Sequence, residues 1–65
     1  MTKQELVQDM RRFCGGSSFI RRGELARYMH RKDAHSVDRY TKSLTKVDGL
    51  YFIADVAEQI LAVRR

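Results

Sequence analysis

The sequence predicts a mainly α-helical domain with one small β-hairpin. Three observations carry this reading. Apolar residues recur at three- and four-residue spacing in four segments. Asp48-Gly49 stands between two short apolar or β-branched runs. The chain has 65 residues and no proline, enough for one hydrophobic core and no more. The expected division is a single domain over 1–65: an N-terminal helix within 1–16, a helix-turn-helix unit over 19–44, a hairpin over 45–53 and a C-terminal helix over 54–65.

Thr2 and Glu5 stand at capping-box spacing, so a helix is expected over 3–14. Leu6, Met10 and Phe13 form its inner stripe, widened by Val7 and Cys14. Gly15-Gly16 ends it, because glycine accepts the left-handed conformation that follows a last turn. "SSFI" at 17–20 reads as extended, with Phe19 and Ile20 pointing to the core or pairing with a strand. A second helix is expected over 23–31, with Leu25, Ala26 and Met29 inside and Glu24, Arg27 and Arg31 outside.

The hinge "RKDA" follows, and Asp33 is a suitable N-cap for a third helix over 34–44. Its inward residues are Val37, Tyr40, Thr41 and Leu44. Asp48-Gly49 predicts a two-residue hairpin loop joining Thr45–Val47 to Leu50–Phe52, with Phe19-Ile20 as a candidate third strand. Asp55 and Glu58 repeat the capping-box spacing before a fourth helix, in which Val56, Ile60, Leu61 and Val63 return to the core. Arg64 and Arg65 suit its negative end. No internal repeat is visible. The element order is that of a small winged helix-turn-helix.

Charge narrows the function. The net charge is +5, and residues 21–46 hold eight lysines and arginines against three acids. Such a concentration favours a polyanion, and nucleic acid is the usual one. Other chemistries fit less well. His30, His35 and Cys14 have no zinc-site spacing, and "CGGSSF" lacks the lysine and spacing of a phosphate-binding loop. Ser36 and His35 are helix neighbours that face different directions, so they make no nucleophile–base pair. The expectation is a binding protein, not an enzyme, without metal or cofactor. A lone cysteine permits no internal disulfide, and Cys14 is read as a small buried hydrophobe. The opening residues carry no signal-peptide pattern and no apolar run is long enough for a membrane span, so a cytoplasmic protein is expected.

A helix fits the major groove of B-DNA with its outer side toward the base edges. The third helix offers His35, Ser36, Arg39, Lys42 and Ser43 there. Arg21, Arg22, Arg27, Arg31 and Lys32 are placed for phosphates, and Lys46 for the wing. His35 has a rival role as a capping or solvated side chain, and Arg39 as a partner of Glu24. Tyr40 shares the face of Val37 and is read as core. Asp38 lies amid this surface and would repel phosphate. It must point aside, accept from a cytosine amino group, or hold Arg39 or Lys42 in position.

"FIRRGELARYMHRKDAHSVDRYTKSL" followed by "VDGLYFIADVAEQIL" resembles the small winged-helix domain of excisionases and MerR-like regulators. Glu24-Leu25-Ala26, Val37 to Tyr40 and Asp55-Val56-Ala57 carry the likeness, which spans residues 19–62. The resemblance implies double-stranded DNA as partner, bound through the third helix and the wing with bending of the duplex. It also implies an integrase or recombinase, or a second copy on an adjacent site, as protein partner. Two other readings stand beside it: a protein-interaction module that keeps the fold and docks through apolar residues of the fourth helix, and charge-driven binding of nucleic acid without sequence preference.

Overall fold

The computed structural model describes residues 2–63. Among these, four α-helices pack with a two-stranded antiparallel sheet. The first helix, α1 (Lys3–Phe13), starts as its sequence dictates. Glu5 donates its backbone N–H to the Thr2 hydroxyl at 3.1 Å, and the Glu5 carboxylate accepts from the Thr2 N–H at 2.9 Å. Leu6 and Met10 are buried. Gly15 and Gly16 at φ 68 and 93 let their N–H groups turn back onto the carbonyls of Arg12 and Arg11, a Schellman closure. Phe13 departs from the expected inner stripe and is 46% exposed. Met10 and Cys14 already fill that side, so the ring turns out and meets Tyr28 edge-on at 5.3 Å.

Strand β1 (Phe19–Arg21) runs without a break into α2 (Arg22–Tyr28), and β2 (Leu50–Phe52) runs likewise into α4 (Ile53–Val63). The strands pair with Ile20 opposite Tyr51, both buried. This corrects the expected pairing. Phe19–Arg21 is the principal partner of Leu50–Phe52, whereas of Thr45–Val47 only Val47 pairs, across a single bridge to Leu50. The Asp48-Gly49 turn itself forms, with φ 54 and 78 and reciprocal Val47–Leu50 hydrogen bonds of 2.8 and 2.9 Å. Beyond it the chain returns to Leu44, which packs on the core, so Thr45 and Lys46 leave the ladder.

The second helix stops three residues before its expected end. His30 adopts φ 58, and the N–H groups of His30 and Arg31 close onto the carbonyls of Arg27 and Ala26. That is a second Schellman closure with histidine where glycine is usual. The expected helix over 34–44 is also shorter. It is a 3-10 turn at Ala34–Val37 followed by α3 (Asp38–Thr41). Asp33 caps it by accepting from the His35 N–H at 3.0 Å. Ser36 then bonds the Asp33 carbonyl through both its N–H and its hydroxyl, which tightens the first turn to three-residue closure.

Helix α4 begins at Ile53, so Asp55 is its third residue and not its cap. Ile53, Val56, Ala57 and Ile60 are buried, and Leu61 and Val63 pack at the core's margin. Arg64 and Arg65 lie outside the described residues. Helix α1 packs on α4, α4 on α3, and α2 on the 3-10 turn. No buried side-chain nitrogen or oxygen among the described residues lacks a hydrogen-bond partner. None of the described helices is long and apolar enough to cross a membrane.

Candidate nucleic-acid interface

The segment after the hinge has two sides because its spacing is helical. Val37, Tyr40 and Thr41 are buried, while His35, Ser36, Arg39, Lys42 and Ser43 are exposed. The inner three fix the segment against the core, so the outer five are carried at set positions along some eight to ten residues of turned backbone. Arg39 lies over the Tyr40 ring at 5.6 Å from its centroid, with no carboxylate partner among the described residues.

Asp38 holds neither Arg39 nor Lys42. It binds Arg22, from the first turn of α2. The Arg22 Nε donates to one carboxylate oxygen at 2.8 Å and the Nη2 to the other at 2.9 Å. This bidentate pair ties α2 to α3. The Arg22 hydrogen bonds and charge hold the Asp38 carboxyl below the usual carboxylate range. The same Arg22 Nη2 lies 2.7 Å from the Nδ1 of His35. Arg22 is therefore engaged between two side chains, and its charge is spent largely on Asp38.

The cations of residues 21–46 other than Arg39 lie in three places. Arg22, Lys42 and Lys46 line one open groove with Asp38 and Thr41, floored by Tyr51. The Lys46 ammonium sits 6.0 Å from the centre of the Tyr51 ring. Arg21 and Arg27 flank a second depression with Gly23 and Glu24, where the Glu24 carboxylate accepts from the Arg21 N–H at 2.9 Å. Arg31 and Lys32 are exposed in the link that follows the left-handed His30.

Two contributors escaped the sequence reading. Tyr51 supplies the groove floor, and Arg22 serves as a clamp. The second is set by a contact across 16 positions, for which no periodicity gives a signal. The Asp33 cap, by contrast, spans two residues and is visible in composition. Among the described residues no three His, Cys, Asp or Glu side chains gather as a metal site would need. Compared with protein-family models, curated proteins and solved structures, the chain finds no significant match.

Proposed function

We propose that the chain is a non-enzymatic DNA-binding domain of winged helix-turn-helix type. It reads the major groove with the outer side of residues 34–43 and grips the backbone from the surrounding cations. The observation that supports this best is the pairing of Asp38 with Arg22. The one acid within the reading segment is bound to Arg22, and neither Arg39 nor Lys42 is paired with an acid among the described residues. In this reading His35, Ser36, Arg39, Lys42 and Ser43 face base edges. Arg21, Arg27, Arg31, Lys32 and Lys46 face phosphates. Arg22 acts as the positioning residue that sets α3 on α2. The biological role is that of an excisionase-like architectural factor or a small transcriptional regulator in the cytoplasm, with an integrase or a second copy on an adjacent site as protein partner.

Selection from random duplex DNA, followed by anisotropy titration with the enriched site, tests this. Affinity falls steeply with salt because bound cations release counterions. Arg39→Ala costs about 1–3 kcal/mol at the enriched site and relaxes preference at one position. Lys32→Ala weakens all duplexes alike and lowers the salt slope by about one. Equal binding of Arg39→Ala and wild type removes the reading segment from the account.

A protein-interaction module is the second reading. What favours it is that Val47 and Phe52 are 52% and 45% exposed. Its docking face then lies at the sheet and not on α4, whose exposed residues are Asp55, Glu58 and Ala62. That reading requires a tight protein partner and no salt-dependent binding to any duplex.

A further inference from the structure

The contact between Arg22 and His35 bears on where the His35 ring carries its proton. A guanidinium has donors and no acceptor, so at 2.7 Å the His35 Nδ1 must present its lone pair. The ring proton then belongs to Nε2, on the side away from the clamp. Asp38 also approaches Nδ1, but at 3.4 Å, and the oxygen concerned already accepts from Arg22 at 2.9 Å. Asp33 engages only the backbone N–H of His35. The His35 side chain is 76% exposed, so its Nε2–H is open to a ligand.

We propose that Arg22 locks His35 in the Nε2–H form and thereby makes it a specificity-determining residue, a single outward donor that selects guanine. The base preference rests on the DNA-binding reading above; the lock does not. In the major groove guanine alone displays two acceptors and no donor. Thymine offers one acceptor beside a methyl group, adenine sets an amino donor beside its acceptor, and cytosine offers only a donor. A histidine free to exchange its ring proton would present a donor in one form and an acceptor in the other. It would then discriminate poorly. The clamp removes the second form before DNA arrives.

Two measurements test this separately. In free 15N-labelled protein at about pH 8, where an ordinary imidazole is neutral, the histidine spectrum shows His35 with Nε2 protonated, and His30→Gly assigns the two rings. Arg22→Met, checked for folding by circular dichroism, shows both forms. An Nδ1–H ring in the wild type, or no change in Arg22→Met, overturns the lock whatever DNA does.

Selection is then run with wild type, His35→Ala and His35→Gln. His35→Ala loses preference at one base pair, and affinity for the enriched site falls about fivefold, the worth of one hydrogen bond. That pair is G·C in the wild type and shifts to A·T with His35→Gln, whose amide matches adenine. A wild-type A·T pair, or no altered position, overturns the base preference. Absence of binding to every duplex overturns the DNA reading and the preference with it, while an Nε2–H ring in the free protein that Arg22→Met releases to both forms still upholds the lock.

Discussion

His30 holds a left-handed backbone at φ 58 although it carries a β-carbon. That conformation costs a non-glycine residue about 1–2 kcal/mol, against which glycine loses about 0.5–1 kcal/mol of extra chain entropy. His30→Gly is therefore expected to stabilise the domain by about 0.5–1 kcal/mol, read from denaturant midpoints at unchanged slope. Nothing in the helical spacing of residues 23–31 announces this stop, because the Schellman closure at Ala26 and Arg27 is bought by one residue's dihedral angle. Tyr28 is likewise shifted by its immediate surroundings. Its burial, then its hydroxyl's bond to Asp9 and the charge there, push the phenol from 10.0 up to about 12. The folded value is raised, so the contribution to stability is whole below 10.0 and is lost as pH rises through about 12. Ultraviolet titration should show a late phenolate step that Tyr28→Phe removes. Local contacts such as the Thr2–Glu5 box and the Asp33 cap were legible because their partners lie within three residues.

Between elements, the Arg22–Asp38 pair joins the start of α2 to the start of α3. Asp38 titrates below its ordinary 3.8. Its contribution is therefore present above 3.8 and is lost as pH falls through the depressed folded value. Asp38→Asn should flatten the acid side of the stability curve and leave Arg22 without its ionic partner at neutral pH. Chemical denaturation across an acid series measures this. The hairpin shows what pattern reading reaches and where it stops. Asp48-Gly49 dictated a turn with both residues at positive φ, and Gly49→Ala at φ 78 is expected to cost about 1 kcal/mol by thermal or urea melting. The turn did not dictate the sheet. Leu50–Phe52 chose Phe19–Arg21 because that pairing buries Ile20 and Tyr51 together, a choice made by partners 31 residues apart. The pairing also exposes a repetition that composition hides. Arg21-Arg22-Gly23-Glu24-Leu25-Ala26 and Phe52-Ile53-Ala54-Asp55-Val56-Ala57 each turn a strand into a helix, with an acid at the third helical position and two buried apolar residues after it.

Among the described residues a dozen buried apolar side chains form the core. Leu25, fully buried in α2, shows how thin the margin is. Leu25→Ala should cost about 2–5 kcal/mol, as much as the ~3–5 kcal/mol a core of this size supplies in total. Circular dichroism should find that variant largely unfolded at 25 °C. The mainly α architecture was legible at this scale because four apolar stripes in so short a chain have only one another to bury against. The clustering of Arg22, Lys42 and Lys46 was not, since it depends on where α3 lands against the sheet. The direct passage from strand to helix at Arg21–Arg22 and at Phe52–Ile53 also decides where the chain can change length. One residue added at either junction would rotate everything downstream by about 100° and carry its greasy side into water. Insertions, labels and tags belong instead beside Thr45, exposed and outside helix or strand, where slack costs mainly loop entropy.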